Sequence, residues 1–305
     1  MTATGRRAEL RAQFDQHRQR FEAANAKVTA RVGRNLVFAV VSGLVMAAVF
    51  VAALLWFPVL LAFTVSVTAI GLYELATAFR ASGRRVPRVG VIAGGVAIVG
   101  ATWLWGATGL LVSTFFAAGG LILWRLAEGF LPRFGAGWRQ MGADLASGMF
   151  VLIYIPFLIA SVLILRGIPD TGLWWLFTLV GLSVVCDIGA YVAGINFGKH
   201  KLAPKISPGK TWEGFIGAAL ASAAAGAASA VWLLQLDWWI GLLLGIGVVI
   251  AATLGDLTES LIKRNLDIKD MSKLIPGHGG LLDRMDSILA AIVPVYITAL
   301  FVGAL

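Results

Sequence analysis

The chain has 305 residues, 59% of them hydrophobic and 13% charged, and its mean hydropathy is +0.85. Soluble domains carry about a quarter charged residues, so the deficit points to lipid as the solvent for most of the chain. A formal charge of +9 does not indicate nucleic acid, because the basic residues sit in short loops between apolar runs, where they set topology. The runs are continuous rather than alternating, which excludes a membrane β-barrel. The single cysteine, Cys186, allows no intramolecular disulfide and reads as a small buried apolar side chain. No CxxC or Cys/His cluster suggests zinc or iron–sulfur.

Residues 1–34 form a basic leader. Leu10, Phe14, Phe21, Val28 and Val32 fall on one helical stripe. The stripe suits an amphipathic helix on anionic lipid. The spacing of Leu10, Phe14, His17, Phe21, Ala24 and Val28 suits a coiled coil joining two copies in a homodimer equally well. A solvated leader is the third reading. It is not a secretory signal, because its charged segment is long and the following apolar stretch exceeds an h-region.

Nine spans follow, at 35–56, 58–79, 89–106, 108–126, 145–165, 172–195, 214–234, 237–255 and 286–304. The predicted fold is an all-α polytopic membrane bundle. We divide it into N-terminal helices over 35–144 and a catalytic region over 145–305. With the N-terminus in the cytoplasm, 24 of the 25 Lys and Arg residues fall on the inner side, and Arg166 alone falls outside. The positive-inside rule therefore supports both the count and the orientation. Trp103, Trp105, Trp174, Trp175, Trp238 and Trp239 fall near predicted outer interfaces, as an aromatic belt. No paired broken helices mark inverted transporter repeats.

Charged residues within a bilayer are functional candidates, and the acids outside the leader and outer loops gather near the inner ends of spans. The first cluster is Asp187–Gly214, DIGAYVAGINFGKHKLAPKISPGKTWEG. Asp187 lies about two turns inside the bilayer, and Tyr191 shares its helix face. The loop adds Lys199, Lys201, Lys205, Ser207, Lys210 and Thr211, a set of cations and hydroxyls that suits a triphosphate. It is not a Walker A loop, because Pro204 stands where the first glycine belongs and no strand precedes it. Topology alone accounts for most of these lysines; Lys210 in SPGKT is the exception.

The second cluster is Gly255–Ser287, GDLTESLIKRNLDIKDMSKLIPGHGGLLDRMDS. Asp256, Glu259, Ser260 and Lys263 share a helix face. PGHGG then makes a turn where backbone approaches a ligand closely. Asp283 and Asp286 follow with Arg284 between them. Hard carboxylate oxygens beside phosphates are how Mg²⁺ is held. Helix capping explains one such acid, but poorly explains two acids plus PGHGG. Glu74, near the inner end of the second span, either pairs with an arginine in 80–88 or lines the site; the structural reading is the stronger.

The stretch Ser260–Asp286 resembles the signature of the phosphatidate cytidylyltransferase family. It matches at S-x-apolar-K-R, at Lys269–Asp270, at P-G-H-G-G and at D-R-x-D. The D-x-x-A-Y-x-x-G…S-P-x-K-T-x-E-G element of residues 187–214 is similar to that family as well. The resemblance implies that CTP and phosphatidic acid give CDP-diacylglycerol and pyrophosphate with Mg²⁺, at the cytoplasmic face of the cell membrane. It leaves room for a second, monovalent cation. Under it, Asp256 and Asp283 are the first choices for metal ligands, followed by Asp187 and Asp286. Lys263, Arg264, Lys210 and His278 would hold phosphates. Ser207, Thr211 and Ser260 would donate hydroxyl hydrogen bonds. Tyr191, Lys269 and Arg284 join the substrate-binding set, and Glu213 would orient a lysine or contact cytosine.

Three rivals stand against this reading, of which a non-enzymatic membrane scaffold leaves the two polar clusters without a purpose. A cation-coupled transporter also uses intramembrane carboxylates, but its site belongs near the midplane rather than beside inner Lys-rich loops. A related transferase acting on another lipid acceptor fits the same signature.

Overall fold

The computed structural model describes residues 45, 48–130, 137–266, 268, 271–272 and 280–305. The leader lies outside the described residues. So does most of the expected span 35–56, of which residues 45 and 48–55 are described, as helix.

The helices are α1 (Phe57–Ala81), α2 (Arg88–Gly129), α3 (Trp138–Arg166), α4 (Gly172–Phe197), α5 (Trp212–Ser229), α6 (Trp238–Asn265) and α7 (Leu282–Phe301). A π turn, Ala230–Leu234, extends α5. By length and composition all seven are able to cross a membrane, and the protein is an α-helical polytopic membrane protein with almost no sheet among the described residues. Lipid supplies no hydrogen bonds, so each span must satisfy its own backbone, which helices do.

Local sequence explains the boundaries. Pro58 opens α1, where a missing N–H costs nothing. Gly83, at φ 88°, closes it in the left-handed conformation that glycine adopts freely. Gly106 interrupts α2 at φ 58° and ψ −138°, and the chain doubles back there. Gly94 then meets Ala117, and Gly109 packs on the Ala101 carbonyl. The two arms of α2 thus correspond to the expected spans 89–106 and 108–126. α6 runs on to Asn265 rather than stopping at 255, so Asp256, Glu259 and Lys263 ride on one unbroken helix.

Small residues bring the later helices together. Ser222 and Gly226 of α5 face Gly241 and Gly245 of α6 with backbone against backbone. Gly217 of α5 meets Ala193 of α4, and Gly255 of α6 meets Ala290 of α7. Where lipid is as apolar as the side chains, such close approach is what holds helices together. Larger side chains fill the space between α1, α2 and α3. Leu72, Ile98, Leu152 and Ile155 are fully buried there. Cys186 is buried and unpaired, as expected. Trp175 is buried too, so it is a core residue rather than part of an interfacial belt.

One element was not expected. The α4–α5 connection, read as a loop, forms an antiparallel hairpin of β1 (Lys201–Ala203) and β2 (Ser207–Thr211). Lys201 pairs with Thr211 and Ala203 with Ser207. The short run between Gly198 and the α5 N-terminus leaves little freedom, and pairing satisfies its backbone groups.

Candidate active site

Charged contacts collect at one end of the bundle. There the C-terminal ends of α1, α4 and α6 meet the hairpin and the N-terminal ends of α5 and α7. Thr211 caps α5, its Oγ1 accepting from Gly214 N at 3.1 Å. Gly198 and Gly214 leave room for that buried side chain: a Cβ at either would crowd it and a backbone carbonyl, that of Gly194 or Ala190. Glu213 accepts from the backbone amides of Lys199 (3.1 Å) and His200 (3.2 Å). Its Oε1 also lies 2.6 Å from His200 Nδ1. Glu213 therefore staples the hairpin to the first turn of α5, through backbone amides and His200 rather than a lysine side chain.

The hairpin places Lys210 over α6. Lys210 Nζ stands 2.5 Å from Asp256 Oδ2, and Ser260 Oγ donates to Asp256 Oδ1 at 3.4 Å. Beside this pair opens a cavity of about 410 Å³, lined by Asp187, Tyr191, Lys210, Thr211 and Ser287, with Ile195 and Phe215 on its apolar side. The charges of Asp286, Lys210 and Asp256 all act on Asp187. Three helices, α4, α6 and α7, thus bring carboxylates into one electrostatic neighbourhood.

A second knot lies deeper. Lys263 Nζ bridges Asp283 Oδ1 (3.0 Å) and Glu259 Oε1 (3.2 Å). Asp283 Oδ2 accepts from Met271 N (3.0 Å) and Gly280 N (3.1 Å). Asp286 Oδ1 accepts from Ser287 N at 2.7 Å. Glu259 is buried, and among the described residues neither of its oxygens accepts a hydrogen bond. Lys263 stands at ion-pair distance from it while also holding Asp283. Tyr154, Glu259 and Asp286 share a cavity of about 20 Å³, room for one water.

The structure therefore brings Asp187, Tyr191, Lys210 and Thr211 around the cavity of about 410 Å³, Asp256 and Ser260 beside it through Lys210, and Lys263, Asp283 and Asp286 into the neighbouring knot. Ser207 is half-buried on β2; Arg264 and Arg284 are exposed at the same end. Lys269 and His278 lie outside the described residues. Tyr154 was missed, because a tyrosine inside an apolar span carries no signal until its neighbours are known. Glu259, expected on one helix face with Asp256, Ser260 and Lys263, stands at ion-pair distance from Lys263.

Among the described residues, no three His, Cys, Asp or Glu side chains converge closely enough to hold a metal ion. The donor chemistry nonetheless fits a hard divalent cation. It is all carboxylate oxygen, beside lysines suited to phosphate. Asp256 and Asp283 each carry a lysine instead.

Comparison with known proteins now decides the family. The sequence model described as "Cytidylyltransferase family" matches residues 37–302. The chain belongs to the cytidylyltransferase family. A phosphatidate cytidylyltransferase of Mycobacterium bovis is 36% identical over 282 residues, covering 89% of this chain and 90% of that protein. One from Mycobacterium leprae is 34% identical, covering 88% and 89%. A third, from Pseudomonas aeruginosa, is 36% identical and covers 78% of this chain and 75% of its own. The family match takes in every described helix, so the resemblance of the two short clusters extends across the bundle.

Proposed function

We propose that this membrane protein transfers the cytidylyl group of CTP to phosphatidic acid, giving CDP-diacylglycerol and pyrophosphate. The observation that carries the proposal is the 2.5 Å contact between Lys210 and Asp256. It joins the two polar clusters, 187–214 and 255–287, into one site. Relatives bearing that activity in their names, similar along most of the chain, support it.

The bond changes are simple. A phosphate oxygen of phosphatidic acid attacks the α-phosphorus of CTP, and the bond to the β-phosphate breaks with pyrophosphate leaving. No enzyme nucleophile is required. Catalysis is positioning and charge neutralisation. Lys210 and Lys263 are the cations placed to pass from carboxylate to phosphate oxygens as the nucleotide enters. Thr211 and Ser260 add hydroxyls beside them, and Tyr191 lines the cavity. We assign Asp187, Asp256, Asp283 and Asp286 to hold Mg²⁺, which when bound would stabilise charge on the leaving pyrophosphate. Ile195 and Phe215 give the cavity an apolar wall suited to the lipid end of the acceptor.

We further propose that this end of the bundle faces the cytoplasm at the cell membrane, where CTP is available; the lysine and arginine distribution supports that orientation. The test is incorporation of α-labelled CTP into lipid by membranes carrying the protein. Label should enter CDP-diacylglycerol only with phosphatidic acid present, and a chelator should abolish it. Label appearing only with a different lipid acceptor would replace the substrate, and transport without nucleotide turnover would overturn the reading.

A further inference from the structure

Glu74 lies on α1, and its side chain is buried. A carboxylate in an apolar interior is costly unless its oxygens are filled. Three donors fill them here. Ser272 Oγ donates to Oε1 at 2.5 Å, Leu281 N to Oε1 at 3.0 Å and Leu282 N to Oε2 at 3.0 Å. All three come from the second polar cluster, about 200 residues along the chain.

The arrangement has two consequences. The first helical amides of α7 have no partner within their own helix, and the N-cap residue, Leu281, has no side-chain oxygen to offer. Glu74 supplies that cap from another helix, with the negative charge that an N-terminus favours. In addition, Glu74 holds Ser272 against Leu281. Asp283 does the same from within α7, joining Met271 to Gly280 through one oxygen. Two carboxylates thus tie together both ends of the segment that carries the signature turn. Gly280 fits between them. A Cβ there would stand 2.8 Å from Asp283 Oδ2 and 3.2 Å from Glu74 Oε2, so only glycine leaves both carboxylates in place.

We propose that Glu74 is a positioning residue for the transfer reaction. By capping α7 and gripping Ser272, it sets the orientation of Asp283 and, through the 3.0 Å contact, of Lys263. It touches no substrate. The role in turnover rests on the proposed activity; the clamp itself does not. Replacing Glu74 by Gln would turn one acceptor into a donor facing a backbone N–H or the Ser272 hydroxyl. At least one of the three bonds would be lost with little change in size.

The test compares wild type, E74Q, S272A and the packing control L72A, each as full-length protein in detergent micelles with phosphatidic acid. Leu72 is fully buried on the same helix, and its side chain packs toward Gly95 of α2. E74Q is expected to lower kcat by about tenfold or more, since a small misplacement of reacting groups has that effect. Amide hydrogen exchange at Leu281 and Leu282 should accelerate in E74Q. S272A should shift kcat in the same direction by less, and the double variant should lose less than the product of the two. L72A should lower thermal stability but leave kcat within about twofold and exchange at those amides unchanged. The proposal fails if E74Q keeps its kcat, if exchange at Leu281 and Leu282 does not change, or if L72A loses turnover equally. Should E74Q not accumulate, S272A decides alone: unchanged kcat and exchange there would overturn the clamp. If wild type makes no CDP-lipid while exchange responds as stated, the activity is wrong and the clamp stands.

Discussion

Lys210 and Asp256 form a 2.5 Å ion pair between the hairpin and α6, joining two segments that neither local spacing nor chain order brings together. Each is only partly exposed, with side-chain accessibilities of 26% and 28%. The pair is therefore neither sealed in the core nor free in solvent, and Lys210 lines the cavity; under the proposed function an incoming nucleotide phosphate would compete for the lysine.

Asp256→Asn should therefore reduce kcat by about a hundredfold or more, the scale of removing one preorganised electrostatic group. Lys210→Met should act similarly. The double variant should fall little further than the worse single one, because the groups act as a unit. Steady-state cytidylyl transfer on the four proteins measures this; strictly multiplicative losses would separate their roles.

The hairpin offers the opposite case. Lys201 is exposed on β1 and does not line the cavity; its pairing with Thr211 is a register of backbones. Lys201→Gln should leave kcat and KM within about twofold, as expected of a surface position. A large loss, read in the same assay, would mean that the β1 side of the hairpin faces substrate.

Arg125 and Asp144 are both fully buried, with Nη2 and Oδ2 2.7 Å apart. Arg85 N also donates to Asp144 Oδ1 at 3.0 Å. This pair ties the second arm of α2 to α3 and to the turn after α1. Arg125→Met would strand a buried carboxylate, at a cost of about 3–5 kcal/mol. Thermal unfolding in detergent should show a large loss of stability, while the KM for CTP in the surviving fraction stays unchanged.

Gly106 occupies a backbone region that side chains avoid. Gly106→Ala should cost about 1–3 kcal/mol and lower the unfolding temperature. The reversal is far from the charged end, so kcat should hold.

Much of this was legible in sequence, because in a bilayer length and hydropathy dictate the element. The spans 58–79 and 172–195 match α1 and α4 within two residues at each end. Charge blurred the boundaries elsewhere. α3 begins at Trp138 and α6 ends at Asn265, since a helix continues past the lipid edge wherever its polar residues find partners. That Asp187, Lys210 and Asp256 stand out as charge in an apolar context was legible, because such charge is rare, and the structure brings them close together. The capping role of Glu74 was not, because its three donors come from the far end of the chain and two are backbone amides. The hairpin was hidden for a related reason: SPGKT carries glycine and proline, which read as a loop, and only pairing with Lys201–Ala203 makes it a strand.

The central claim is that residues 187–214 and 255–287 build a single nucleotide site. Photo-crosslinking with CTP bearing a reactive group on its γ-phosphate tests it most directly, with mapping of the labelled peptides. Labelled peptides from both segments, lost together when unmodified CTP is added, are the expected result. Competable label on one segment only, or on the arms of α2, would contradict the account.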